Sequence, residues 1–393
     1  MRPHTQEDKK RAIDARRFLS SGIGFCSFCS MVEHLYIHIP FCLKICPYCS
    51  FYKETANAKK AKPFVDALLR EARERSRQLR PKTIFFGGGT PSALSVNQLA
   101  FLLQGLRETL DCSEVGEWSF EMNPATVTKE KAKILREYGV NRISIGVQSW
   151  NPRELKVLGR VHTVEQAEKS IAVLREAGFD NINVDLIYSV PGQTKESWKE
   201  SLSKSLGFRP EHISAYCLTY EEDTEFFRRM LGGEWTPDEV LDADLFVMTR
   251  EALAAAGYRG YEISNFSLAG RECVHNLAYW EGKDFIGLGP GAFSTVGERR
   301  WRNAENTQSY IEKSQDGEAL TDFEEAVGGK IRKNERVAFG LRMDIGVERG
   351  WVNTETAERL LAAGLIVDKG ERYSLSERGL LVADSIAEEV MEF

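Results

Sequence analysis

Between residues 35 and 219, six short β-rich runs alternate with amphipathic stretches, and this rhythm constrains the fold more than any other feature of the chain. The runs fall at 35–40, 83–87, 118–123, 142–148, 181–190 and 212–219, with helix-like segments near 62–79, 95–110, 128–138, 163–177 and 195–206 between them. Strands joined by helices of this length pair in parallel through right-handed crossovers. No Gly-x-Gly-x-x-Gly follows the first run, which counts against a dinucleotide-binding sheet. The expected fold is α/β: a partial TIM-like β/α barrel over residues 32–220, with its chemistry at the C-terminal ends of the strands.

Beyond residue 220 the rhythm stops. Residues 223–256 read as helical, and the whole of 221–303 forms an irregular extension rich in Gly, Asn and aromatic residues towards its end. Residues 304–393 read as a small winged-helix-like α+β module, with a helix at 354–363, a hairpin around 369–371 and a last helix from Arg378. Residues 330–393 hold ten basic and twelve acidic residues, a net of −2, so packing or docking suits this module better than DNA binding. At the other end, residues 1–31 are an extension with six basic and three acidic residues and no apolar stretch of the secretory kind. It contains Cys26-Ser-Phe-Cys29, an isolated pair with no second pair at zinc spacing, so no site is assigned to it.

The 393 residues carry a formal charge of −6, which argues against a protein whose main task is gripping nucleic-acid phosphates. No apolar run approaches the roughly 18 to 20 residues that span a bilayer. Most of the eight cysteines cluster near the front instead of spreading as a disulfide framework, so a reducing cytoplasm and metal or redox use are expected. Three of them form Cys42-Leu-Lys-Ile-Cys46-Pro-Tyr-Cys49 directly after the first strand. A [4Fe–4S] cube ordinarily takes four thiolates, so three leave one iron open to a ligand. The competing reading is a zinc loop completed by His38 or His34.

Cys-x₃-Cys-x₂-Cys after the strand that opens a β/α barrel resembles the radical S-adenosylmethionine (SAM) superfamily. The resemblance continues through Gly87-Gly-Gly-Thr-Pro-Ser92, Glu121-Met-Asn-Pro124, Ile145-Gly-Val-Gln-Ser149, Leu158-Gly-Arg-Val-His162 and Asp185-Leu-Ile-Tyr188. His212-Ile-Ser-Ala-Tyr216, Tyr261-Glu-Ile-Ser-Asn-Phe266, His275-Asn-Leu-Ala-Tyr-Trp280 and Gly287-Leu-Gly-Pro-Gly-Ala292 narrow it to the oxygen-independent coproporphyrinogen oxidase-like group. Within that group the chain is most similar to the haem chaperones of the HemW family. Relatives that decarboxylate coproporphyrinogen carry a fourth cysteine two residues after the third, where this chain has Phe51.

The resemblance implies a [4Fe–4S] cluster on Cys42, Cys46 and Cys49. It implies SAM contacts from Tyr36, Gly88, Gly89, Thr90, Glu121, Gln148, Arg160 and Asp185. SAM offers an ammonium, a carboxylate, ribose hydroxyls and a sulfonium, which carboxylates, an amide and a guanidinium suit. It further implies haem as cargo, with His275 as iron ligand or Cys273 in its place, and flat apolar surface from Tyr279 and Trp280. Haem-accepting proteins, membrane-associated ones included, and an electron donor are the implied partners. Two enzymes remain as alternatives: the anaerobic coproporphyrinogen III dehydrogenase and a radical SAM methyltransferase. His162 and His212 are expected to serve packing or hydrogen bonding.

Overall fold

The computed structural model describes residues 31–391, so Cys26 and Cys29 lie outside the described residues. Its centre is the expected parallel sheet: β1 (Val32–Ile39), β2 (Leu79–Gly88), β3 (Glu117–Met122), β4 (Arg142–Gln148), β5 (Ile182–Tyr188) and β6 (His212–Cys217). On β1, Leu35, Ile37 and Ile39 are fully buried on one face, while His34, Tyr36 and His38 occupy the other. The aliphatic face packs on helices, as parallel sheets require. The polar face lines the inside of the curl.

Six helices follow the first five strands: α1 (Ala58–Arg75), α2 (Val96–Thr109), α3 (Lys129–Glu137), α4 (Pro152–Val157), α5 (Val164–Glu176) and α6 (Lys195–Gly207). Each begins at an Asn, Ser or Thr whose side chain accepts a backbone N–H: Asn57, Ser95, Thr128, Asn151, Thr163 and Thr194. A cap of this kind contributes about 1 kcal/mol. The first helix starts at Ala58, ahead of the expected residue 62, because Asn57 supplies the cap and Pro63 is tolerated inside it.

Three further strands complete the sheet: β7 (Arg259–Gly260), β8 (Asn265–Ser267) and β9 (Ile286–Leu288). The order is β9-β1-β2-β3-β4-β5-β6-β8-β7, an open sheet and so a partial barrel. β9 pairs in parallel with β1, placing Tyr36 opposite Gly287, whereas β8 runs antiparallel to β6. The sequence predicts irregular loops and short strands over 258–303, without placing either strand in the sheet. The expected helix over 223–256 is two, α7 (Glu225–Leu231) and α8 (Glu239–Ala255), broken after Gly232 and Gly233.

The expected module over 304–393 also divides. α9 (Val274–Trp280), β10 (Phe293–Val296), β11 (Arg299–Asn303), α10 (Thr307–Asp316) and β12 (Thr321–Ala326) precede the C-terminal part. Trp301, Tyr310, Ile311 and Leu320 belong to the barrel core. A second core starts only at Val337, within α11 (Gly329–Arg342). It continues through β13 (Val347–Glu348), α12 (Thr354–Ala362), β14 (Ile366–Asp368), β15 (Arg372–Leu375), α13 (Glu377–Leu380) and α14 (Ala383–Val390). Among the described residues no helix is long and apolar enough to cross a membrane.

One buried carboxyl ties the sheet edge to its surroundings. Glu71 of α1 accepts from the Gly289 amide (2.9 Å), Asn303 Nδ2 (2.7 Å) and the Tyr310 hydroxyl (2.6 Å). Glu71→Ala leaves three buried donors unpaired, which is expected to cost about 2 to 4 kcal/mol. Urea unfolding checks this; a change below about 0.5 kcal/mol, the range of ordinary surface substitutions, contradicts the tie.

Candidate metal and cofactor site

The cysteine loop leaves the end of β1 and is pinned at its base. Phe41–Cys42 pairs in parallel with Glu54–Thr55, closing residues 43–53 into a compact excursion. Within it the Cys49 amide donates to the Cys46 carbonyl (3.2 Å). From outside, the Phe226 amide of α7 donates to the Pro47 carbonyl (3.1 Å), and a Cβ at Gly159 would stand 2.7 Å from Pro47 Cδ. Cys42, Cys46 and Cys49 are all half-buried free thiols. Leu43, Ile45 and Phe51 are exposed around them, Phe51 by 68%.

Burial pushes the Cys42 and Cys49 thiols up, opposed at Cys42 by the Thr90 hydroxyl and at Cys49 by the Lys53 ammonium. Thr90 Oγ1 donates to Cys42 Sγ at 3.5 Å, and Arg160 Nη1 donates to Cys46 Sγ at 3.4 Å. Donors that favour thiolate are therefore already in place at Cys42 and Cys46, while burial favours the proton on Cys42 and Cys49 until a metal displaces it. Among the described residues no three His, Cys, Asp or Glu side chains converge closely enough to hold a single metal ion. A cube binds each thiolate through a different iron, so the sulfurs need not converge as they must around one zinc. Nor does a histidine stand ready to complete a zinc site: His34 Nε2 lacks a partner, but His34 lies five residues before the end of β1, from which the cysteine loop departs. His38 Nε2 donates to the Tyr52 carbonyl (2.9 Å), which leaves Nδ1 to accept from the Tyr36 hydroxyl (3.1 Å); His34 Nδ1 meets Thr83 Oγ1 at 3.0 Å. The donor set fits the cube.

Most of the expected SAM residues gather at the strand ends. Gly88 takes φ +106°, and a Cβ there would stand 2.5 Å from the His38 ring, so only glycine lets β2 close against β1. The Gly89 amide donates to the Ile39 carbonyl and the Thr90 amide to the Phe41 carbonyl, both at 2.8 Å. These N–H groups are spoken for, so the segment has carbonyl oxygen to offer, which suits an ammonium. Gln148, at φ +67° where the β4–β5 register slips, holds a conformation that costs a non-glycine residue of order 1 kcal/mol or more. Arg160 spans the gap to the cysteine loop: Nη2 donates to the Gly146 carbonyl (2.8 Å), and its buried Nε has no partner.

Two carboxyls complete the inner wall. Asp185 accepts from Ser144 Oγ (2.7 Å) and Asn183 Nδ2 (2.8 Å), and burial pushes it up. Glu121 is pushed up to about 8 by burial and by the neighbouring Asp185 charge. Sequence alone does not single out Ser144 and Asn183, and it weighs His38 only as a zinc ligand. The signal that finds them is their position on the same strand face as Glu121 and Asp185. His162 and His212 do serve hydrogen bonding, to the Val147 carbonyl (3.0 Å) and to Asn183 and Tyr261 (2.6 and 2.8 Å).

His275 departs from the expectation of an available haem ligand. It is 1% exposed, with Nδ1 on Thr83 Oγ1 (2.8 Å), Nε2 on the Tyr279 hydroxyl (3.1 Å) and its ring stacked 5.2 Å from Phe85. Cys273 is fully buried against Glu117. Tyr279 packs edge-on to Phe285, and Trp280 packs against Phe339 of α11, so neither ring is a free platform. In this conformation the segment is a plug beneath the barrel, because α9 folds where sequence alone suggests a loop.

The elevated Glu121 carboxyl has a measurable signature. It keeps its proton in the folded apoprotein up to about pH 8, whereas in the unfolded chain it ionises near its ordinary 4.5. The unfolded state thus binds fewer protons in that window, and this group's contribution to stability falls as pH rises from about 4.5 to about 8. Glu121→Gln removes that slope, so the variant should gain on the wild type by roughly a few kcal/mol between pH 5 and pH 8. Urea unfolding of both apoproteins at the two pH values checks this; parallel behaviour contradicts it.

Comparison with known proteins agrees with this geometry. The family model of the Radical SAM superfamily matches residues 36–204. The heme chaperone HemW of Lactococcus lactis subsp. lactis is 37% identical over 313 residues, covering 79% of this chain and 82% of that protein. HemW of Escherichia coli is 33% identical over 377 residues, covering 90% and 97%. The mitochondrial radical S-adenosyl methionine domain-containing protein 1 of Mus musculus is 33% identical over 382 residues, covering 90% and 86%. The solved structure of coproporphyrinogen III oxidase (HemN) from Escherichia coli superposes with a TM-score of 0.81 at 22% identity, covering 93% of this chain and 91% of that one, a likeness of fold. With a third of its residues shared over nearly the full length of such relatives, the chain belongs to the HemW family of the radical SAM superfamily.

Proposed function

We propose that this protein is a haem chaperone that carries a [4Fe–4S] cluster on Cys42, Cys46 and Cys49, binds SAM across the strand ends, and passes haem to acceptor proteins. The observation that carries the reading is the cysteine loop itself. Three thiols stand at the C-terminal end of β1 with a guanidinium and a hydroxyl already directed at their sulfurs, and the position of a fourth cysteine holds the exposed Phe51. When bound, the cluster supplies an electron able to cleave SAM. Arg160 and Thr90 hold the thiolates, Glu121 and Asp185 meet the cationic end of SAM, and the 87–90 turn offers carbonyl oxygen to its ammonium. Gln148 and Tyr36 are the remaining polar contacts on the wall. Cytoplasmic action, an external electron donor and acceptors that include membrane-associated haem proteins belong to the same reading.

Haem is the part that needs rearrangement. His275 can ligate iron only after Nε2 leaves Tyr279, which requires α9 to shift against β2 and α11. His275→Ala should then lower haem affinity or change the Soret band while cluster and SAM binding persist. If Cys273→Ala alone changes the spectrum, the thiolate is the ligand.

The deciding experiment uses the anaerobically reconstituted protein. Haem should bind stoichiometrically, and coproporphyrinogen III with SAM and reductant should yield no protoporphyrinogen. Decarboxylase turnover, or a methylated product, overturns the chaperone reading. Cys42→Ala, Cys46→Ala and Cys49→Ala should each abolish the brown cluster absorbance, since each removes one of three thiolates. A retained chromophore in any of them redraws the site.

A further inference from the structure

The C-terminal module meets the α9 segment through one face of α11. Arg332, Glu335, Arg336, Phe339 and Arg342 recur at three- and four-residue spacing along that helix and so share a side of it. Arg332 Nη2 donates to the Gly282 carbonyl (3.1 Å) and to Asp284 Oδ1 (3.0 Å), just past the last turn of α9. Trp280, the last residue of α9, packs edge-on to Phe339 at 5.7 Å, with the Arg342 guanidinium 5.6 Å from its ring centre. Gly282 takes φ +63°, and a Cβ there would stand 3.0 Å from Arg336 Cγ, so glycine is what lets the two segments close together. Glu335 Oε1 accepts from Arg300 Nη2 of β11 (2.6 Å). On the other side of α11, Val337 and Leu341 are buried in the module's own core.

Beyond α11 the chain reaches the opposite end of α9. Met343 bridges Glu262, and the Asp344 amide donates to the Tyr261 carbonyl (3.1 Å). The Tyr261 hydroxyl in turn accepts from the Cys273 amide (3.4 Å), where α9 begins. Residues 332–344 therefore grip α9 directly at its C-terminal end and through Tyr261 at its start. The grip is polar and incompletely matched. Barrel and module keep separate cores, bridged by the partly buried Ile263 and Leu380. Glu262 Oε2 and Arg342 Nε are buried at this seam with no hydrogen-bond partner within the protein. Unmatched buried polar groups weaken the contact that contains them, so the seam opens at lower cost than either core.

We propose that α11 is an autoinhibitory strap that holds α9 shut and thereby keeps His275 from haem. His275 and Tyr279 stand one turn apart on α9 and bond to each other, and the next residue, Trp280, lies under α11. The helix cannot tilt away from β2 while Trp280 and Gly282 are pinned. Lifting α11 with its module frees that end, and His275 can then leave Tyr279. The strap deepens the functional reading above and rests on it for haem as the ligand. A ligand that binds only the open form loses affinity in proportion to how little of that form is populated. Loosening the strap therefore raises the exposure of α9 and the affinity for haem by one common factor.

The test uses the full-length, cluster-reconstituted protein and its Arg332→Met and Phe339→Leu variants. Hydrogen exchange over residues 274–281 reads the opening of α9, whose Cys273 and Leu277 carbonyls hold the Leu277 and Glu281 amides. Haem titration by absorbance reads affinity in the same samples. Arg332→Met should speed exchange over 274–281 by about tenfold, the low end for charged hydrogen bonds because the Asp284 side chain is 34% exposed. Haem affinity should rise by the same factor. Phe339→Leu, which loosens Trp280 without removing a charge, should move both readings in the same direction. Exchange over α5 and α12 is the control that barrel and module remain folded. Wild-type exchange over 274–281 in both variants overturns the strap. So does faster exchange with unchanged haem affinity, which makes α11 a brace and not a gate. If wild type and variants all bind no haem, the functional reading is overturned, and the exchange rates still decide whether α11 holds α9 shut.

Discussion

Everything above the floor of this barrel depends on how the floor is closed. A curled parallel sheet with polar side chains on its inner face cannot be left open at its N-terminal end without flooding that face. The plug is α9, and Glu117 holds it there by accepting from the first two amides of the helix and from the Cys273 thiol. A carboxylate at a helix N-terminus is favoured by the free N–H groups and by the dipole. The docked helix then fixes His275 on Thr83, and Thr83 on His34, so β1 and β2 are keyed to the plug from below. Above it the same two strands carry Tyr36, His38 and the glycine turn that frame the cysteine loop.

The alternation of strand and helix was legible because each unit carries two independent signals, a β-rich run and a capped amphipathic stretch. Where either signal shrinks, reading fails. β9 is three residues long with a glycine at its centre, yet it forms the sheet edge beside β1. The boundary at 304 was drawn from the end of the irregular stretch, but Trp301, Tyr310 and Leu320 bury themselves in the barrel core, and only the chain from Val337 builds its own.

The site divides along the same line. That the cysteines, Gly88, Gly89, Glu121, Gln148, Arg160 and Asp185 gather at strand ends was legible because they sit in dense motifs there. Ser144 and Asn183 were not, since a single polar residue in an apolar strand has no periodicity to announce it; their role appears only when the register sets Ser144 beside Asn183 and Asn183 beside His212. Burial was the least legible property. His275-Asn-Leu-Ala-Tyr-Trp280 looks like an accessible aromatic loop as a string of residues, yet folds as a helix whose histidine is sealed under Phe85 and Tyr279.

Charge accounting links these parts. With the barrel empty, burial favours protons on Cys42, Cys49, Glu121 and Asp185, because each anion would be poorly solvated. Every proposed cationic ligand reverses that preference: irons displace thiol protons, and a sulfonium or ammonium draws the carboxyls towards ionisation. Cluster assembly and SAM binding should therefore each release protons and weaken as the medium is acidified. Proton uptake or release shows in calorimetry as a dependence of apparent enthalpy on the buffer's ionisation enthalpy. SAM binding to the reconstituted protein near pH 7 should release protons, and Glu121→Gln should reduce that release because a glutamine has none to give. Equal release in both proteins removes Glu121 from the cationic end of the site and leaves its elevated carboxyl a consequence of burial alone.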